Sequence, residues 1–157
     1  SDKVWKVLEE GTDTFGPIGH GWTYSAHPIC AAAGVANLKL IDDLGLVESA
    51  ATVGKYLNTQ LSQAFADHPN VGDVRGEGML CAIELTADRE TRAPLDPNLK
   101  GGPTLAAGLL KRGVIARAMP QGDILGLAPP MCLTHDEADV IVSATTEALN
   151  ELNLNKA

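Results

Sequence analysis

The chain has 157 residues, 45% hydrophobic and 20% charged, which is enough apolar material for an ordinary core and too little charge for a disordered tail, but too short for a complete large enzyme. Twelve Lys and Arg against twenty Asp and Glu leave a formal charge of -8, so the basic footprint that a nucleic-acid partner demands is missing. No apolar run reaches the length of a membrane span, residues 1–20 carry no basic segment followed by an apolar stretch, and Cys30, Cys81 and Cys132 are odd in number, far apart and set in apolar surroundings. They predict buried free thiols in a reducing compartment, by default the cytoplasm.

Residues 1–10 place Val4, Trp5, Val7 and Leu8 at the spacing of a short amphipathic helix that Gly11 ends. Residues 11–26 are rich in Gly, Thr and Ser yet carry Phe15, Trp22 and Tyr24, a composition that predicts a structured loop. Pro28 suits a first helical position and Gly45 a stop, so an Ala-rich helix is expected over 28–44, and a second over 46–67 with Leu46, Val53, Leu57, Leu61 and Phe65 on one stripe. Residues 71–75 and 79–86 then read as strands joined by Gly76-Glu77-Gly78, the second so apolar that cover on both faces is expected.

Residues 87–102, with Pro94, Pro97, Gly101 and Gly102, read as a surface excursion before a helix at 103–112. Two short strands at 114–118 and 124–128 flank Pro120-Gln121-Gly122-Asp123, a hairpin composition. The last helix opens on Thr134-His135-Asp136-Glu137, a capping box, and runs to about residue 152. The fold class is therefore α+β, helices on a small, mainly antiparallel sheet over 46–157, with 1–45 a helix-loop-helix belonging to a neighbouring layer.

Two places carry chemistry. The loop Gly19-His20-Gly21-Trp22-Thr23-Tyr24-Ser25-Ala26-His27-Pro28 delivers hydroxyls and backbone N–H groups to a helix N-terminus, where a phosphate fits; the competing reading is that Ser25 or His27 caps the helix. Arg117 is a permanent cation inside Val114-Ile115-Ala116-Arg117-Ala118-Met119, suited to two-point capture of a carboxylate, or else set on a solvated face or paired with Asp123. His20, His27 and Cys30 lack the companions of a metal site, so no metal is expected, and Gly76-Glu77-Gly78 fails as a dinucleotide fingerprint.

The Thr-Tyr-Ser-x-His-Pro element with its Ala-rich helix resembles the signature of class III pyridoxal-phosphate aminotransferases, the ω-transaminase group. Val74-Arg75-Gly76-Glu77-Gly78-Met79, Gly113-Val114-Ile115-Ala116-Arg117 and Ala128-Pro129-Pro130-Met131 are similar to that family's C-terminal domain, in the same order. The resemblance implies a fold type I enzyme, with 1–45 the end of the large cofactor-binding domain and 46–157 the small domain. It implies pyridoxal 5'-phosphate as cofactor, a homodimer or higher oligomer, and amine and keto-acid substrates such as pyruvate. Thr23 matches the threonine that hydrogen-bonds the cofactor phosphate across the dimer, Trp22 and Tyr24 line the same entrance, and Arg117 matches the mobile arginine that pairs with a substrate carboxylate.

The family's Schiff-base lysine lies upstream of the Thr-Tyr element, beyond residue 1, and Lys3 and Lys6 are too close to Thr23 to replace it. No catalytic residue is therefore expected within the chain, which reads as an inactive C-terminal fragment; a start without Met agrees with that. The alternative is a stand-alone, non-catalytic binding or assembly module that retains the small-domain scaffold.

Overall fold

The computed structural model describes residues 1–19 and 21–152; His20, considered above as a ligand, and residues 153–157, assigned to the small domain, lie outside the described residues. The chain divides into two compact units, the first Ser1–Leu40 and the second from Ile41 onward.

The first unit holds α1 (Asp2–Phe15) and most of α2 (Pro28–Asp43), and neither helix has a buried residue. Helix α1 does not end at Gly11. It runs a turn further, Thr12 Oγ1 donating to the Leu8 carbonyl, and stops at Gly16, whose φ of 80° suits the chain reversal. Glycine inside a helix costs only about 1 kcal/mol relative to alanine, less than the flanking turns recover.

The second unit contains α3 (Leu46–Ala64), β1 (Val71–Glu77), β2 (Leu80–Leu85), α4 (Gly101–Lys111), β3 (Arg117–Ala118), β4 (Ile124–Leu127) and α5 (His135–Glu151). The strands form one antiparallel sheet in the order β1-β2-β4-β3. Its inner face sets Cys81, Ile83, Leu85, Leu125 and Leu127 against Val53, Leu57 and Leu61 of α3, Leu105 and Leu109 of α4, and Ala138, Ile141, Ala148 and Leu149 of α5 in one core. Each fully buried Leu or Ile contributes roughly 1.5–3 kcal/mol. Helix α5 begins with the expected box, Thr134 Oγ1 accepting from Glu137 N at 3.3 Å while Glu137 Oε2 accepts from Thr134 N at 2.9 Å.

Three further expectations need correction. Strand β2 is covered on one face only: Cys81, Ile83 and Leu85 are buried while Leu80 is 66% exposed, because all three helices of the unit pack on the same side. Residues 114–116 do not join the sheet, so β3 shrinks to two residues and Ile115 is exposed. Of the thiols only Cys81 is buried; Cys30 and Cys132 are exposed.

The turn between β1 and β2 locks α3 in place. A Cβ at Gly54 would sit 2.1 Å from the Gly78 carbonyl oxygen, so the helix backbone rests directly on the turn, and Asn58 Nδ2 donates to both Gly54 O (2.9 Å) and Gly78 O (3.2 Å). Gly78 itself needs its φ of 54°, a left-handed conformation that side chains resist.

Candidate functional site

The aromatic loop closes as a short turn, Ser25 N donating to Trp22 O and His27 N to Tyr24 O, each at 3.0 Å. Tyr24 and Ala26 take left-handed φ values of 63° and 56°, and the Tyr24 and His27 rings meet edge-on at 5.8 Å. Trp22, Thr23 and Tyr24 all lie exposed on this turn. Among the described residues the Thr23 hydroxyl has no hydrogen-bond partner, and neither Ser25 nor His27 makes a side-chain bond to the start of α2.

That first turn carries no acidic residue, and Pro28 brings no N–H of its own. A hydroxyl donor followed by free helical N–H groups fits one edge of a phosphate. The loop residues described supply donors but no full positive charge, so they suit part of a phosphate site, with the counter-charge drawn from elsewhere.

Arg117 belongs to the second unit. In the ladder it stands opposite Gly126, which stands opposite Ala82, which stands opposite Arg75, so these four residues form one row across the outer face of the sheet. Strands lie about 4.8 Å apart, which puts the two arginines about 14 Å apart at Cα with two of the smallest side chains between them. The result is a trough with an apolar floor, part of an open groove of about 900 Å³ lined also by Leu80, Ile115, Met119 and Ile124.

The two cations differ. Arg75 Nη1 is ion-paired with Asp73 Oδ2 at 2.8 Å and Glu84 Oε2 at 2.7 Å, and these bonds hold its guanidinium above the usual range. Arg117, among the described residues, has no ion pair. Asp123 is not its partner, because Asp123 Oδ1 instead accepts from Gly102 N at 2.9 Å at the start of α4. Arg117 is exposed, as the solvated-face alternative expects, and a permanent cation without a counter-charge beside an apolar floor has the chemistry to suit a carboxylate.

Burial pushes the Cys81 thiol up to about 11, so it stays protonated and serves as packing on the inner face. Among the described residues no cluster of three or more His, Cys, Asp or Glu could hold a metal, and no helix is long and apolar enough to cross a membrane. Met119 and Gly126 line the groove beside Arg117 and were not singled out in the sequence. The signal was present in the alternation of β4, where Leu125 and Leu127 point to the core and leave Ile124 and Gly126 for the other face.

The profile of the family described as Aminotransferase class-III matches residues 3–149. The chain belongs to this family. It is 54% identical over 151 residues, 96% of its length, to the diaminobutyrate–2-oxoglutarate transaminase of Halomonas elongata, and covers 32% of that protein. It is 32% identical to the putrescine–pyruvate aminotransferase of Pseudomonas aeruginosa, covering 31% of it.

Among solved structures, a transaminase from directed evolution by ancestral reconstruction superposes with a TM-score of 0.90 at 53% identity over 97% of this chain and 33% of that one. A thermostable ω-transaminase mutant from Pseudomonas jessenii gives 0.85 at 35% identity over 98% and 34%. The class-III chain therefore spans about a third of the length of these relatives, and its α+β architecture is that of fold type I transaminases.

Proposed function

We propose that this chain is the C-terminal part of a pyridoxal-phosphate-dependent aminotransferase that moves an amino group from an amine or ω-amino acid to a keto acid such as pyruvate, and that Arg117 holds the carboxylate of the acid. The observation that carries the reading is the contrast within one sheet row: Arg75 is neutralised by two carboxylates, and Arg117 by none. The relatives' names agree in substrate chemistry, since 2-oxoglutarate and pyruvate are both 2-oxo acids and diaminobutyrate and putrescine both carry a terminal amine.

When bound, pyridoxal phosphate supplies the electron sink for this chemistry. Thr23, with its free hydroxyl in the turn that precedes α2, would donate to the cofactor phosphate across a homodimer, and Trp22 and Tyr24 would line the entrance. Arg117 would orient the acid through two parallel N–H donors, beside the apolar trough floored by Ala82 and Gly126. With the Schiff-base lysine upstream of residue 1, the 157-residue chain alone is inactive and acts in the cytoplasm only as part of the whole enzyme.

The test is kcat/KM for each half-reaction of the full-length protein. Arg117→Ala should weaken the keto-acid half-reaction by about 1.5–3 kcal/mol, the worth of a charge-assisted bond, and leave a neutral amine donor nearly unchanged. Arg117→Lys should restore only part of the loss, because an ammonium cannot make the planar two-point contact. Equal losses for acid and amine would return Arg117 to a structural role.

A further inference from the structure

The sheet leaves one long edge open. Strand β1 is outermost in the order β1-β2-β4-β3 and seven residues long, and among the described residues β2 is its only strand partner. Leu85 N donates to Asp123 O at 2.8 Å, so Leu85 and, by the alternation of an antiparallel strand, Ile83 and Cys81 bond toward β4. Ala82 and Glu84 therefore bond toward β1 and engage Arg75 and Asp73 opposite them. Val74 and Gly76, the residues in between, turn their N–H and C=O groups to the open edge, where such groups are a template for another strand. A groove of about 760 Å³ runs along that edge, walled on the helix side by Lys55, Asn58, Thr59 and Ser62 of α3.

The strand that fits this edge is the same edge of a second copy. Outward residues must meet outward residues, so a two-fold antiparallel pair is centred on Gly76, on Arg75 or on Val74. With Gly76 on the axis, Val74 has to bond Gly78 of the second copy, but the Gly78 carbonyl already accepts from Asn58 Nδ2 at 3.2 Å and lies against Gly54. With Arg75 on the axis, it faces the second copy's Arg75, and Asp73 faces the second copy's Glu77; like charges directly opposite are destabilising.

With Val74 on the axis, Asp73 faces the second copy's Arg75, and Arg75 faces the second copy's Asp73. These are close pairs without backbone hydrogen bonds, with Cα atoms about 4.5 Å apart. The side chains of Arg75 and Asp73 are 46% and 52% exposed, so both are free to reach across. Arg75 already joins Asp73 and Glu84 of its own sheet, and the second copy's Asp73 extends that cluster with alternating sign.

We propose that β1 is a self-association edge: it pairs antiparallel with β1 of a second copy, Val74 on the two-fold axis and an Asp73–Arg75 bridge on either side, so that two four-stranded sheets join into one continuous sheet. The proposal does not depend on the reading of Arg117.

The test is the mass of the full-length protein in analytical ultracentrifugation. Val74→Pro removes an N–H that the ladder within the chain does not use, and proline is tolerated at such edge positions, so it should halve the particle mass. Asp73→Arg and Arg75→Asp should each weaken association about tenfold or more, and combining them should restore it to within about threefold of the parent, because the exchanged charges face each other again. In the combined variant the new arginine stands directly opposite Glu84, so the sheet keeps an ion pair of its own. Hydrogen exchange locates the contact: the Gly76 amide should be slow in the parent and fast in Val74→Pro.

A particle mass unchanged in a Val74→Pro variant with intact circular dichroism would overturn the proposal. So would a folded combined variant that associates no better than the single ones, and this arm decides alone if Val74→Pro does not fold. Slow exchange at Gly76 that persists in Val74→Pro would mean that another segment of the same chain covers the edge, which refutes self-association as well.

Discussion

The two units use apolar residues in opposite ways. In the first, Val4, Trp5, Val7 and Leu8 of α1 and Ile29, Val35 and Leu38 of α2 are all exposed, and neither helix has a buried residue. In the second, α3, α4 and α5 each spend their apolar stripe on one sheet face, and Leu57, Leu61, Leu105 and Leu109 reach zero exposure. Apolar patterning alone therefore identifies a helix without saying where its partner is. A short helix is marginal in water unless a packed face supports it, so α1 and α2 rely on surface that their own unit does not supply.

The largest way to break that contrast is to cut into both units with the same change. Leu57→Ala removes a side chain with no exposure and should cost about 2–5 kcal/mol in urea unfolding of the chain. Leu38→Ala, at 64% exposure, should change stability by less than about 0.5 kcal/mol. Comparable losses would mean that α2 is packed after all.

Glycine sharpens the comparison because one substitution should change sign between the units. In α2 a Cβ at Gly34 meets nothing within 4 Å, so Gly34→Ala should stabilise by about 0.5–1 kcal/mol through helix propensity alone. In α3 a Cβ at Gly54 would lie 2.1 Å from the Gly78 carbonyl oxygen, and Gly54→Ala should destabilise by about 1–3 kcal/mol despite the same propensity gain. Thermal melts of the two variants read the signs directly.

Most of the second unit was legible in the sequence. The capping box at Thr134, the stripe of α3 and the hairpin around Gly122 are local signals, and local geometry decides them. What failed was non-local. The apolar run of β2 cannot tell one-sided from two-sided cover, since Leu80 and Leu85 have the same side chain and opposite surroundings. Gly11 carries a stop signal, but the helix continues to the better cap at Gly16.

The candidate site was legible in part for the same reason. Arg117 stands out as a charge in an apolar segment, whereas Met119 and Gly126 acquire meaning only once the register of β3 on β4 sets them side by side. The competing partner, Asp123, is claimed by α4, a contact across 21 positions that spacing could not reveal.

The smallest effect concerns how the two units begin their helices. Helix α5 opens on a complete capping box, while at the start of α1 the Ser1 side chain makes no cap bond. Thr134→Ala should therefore cost about 0.5–2 kcal/mol at neutral pH, and Ser1→Ala next to nothing. The box also titrates. The Thr134 backbone N–H, and after it the Thr134 hydroxyl, hold the Glu137 carboxyl below its ordinary 4.5, so the folded state binds this proton less readily than the unfolded one. Its contribution is complete above 4.5 and is lost as pH falls through the lower folded value, which places the effect on the acid side. Urea midpoints followed from about pH 6 down to about pH 3 should show Glu137→Gln flattening the acid slope. Thr134→Ala should flatten it less, because the backbone N–H remains to hold the carboxylate; an equal effect would show that the hydroxyl, and not the backbone, holds the charge.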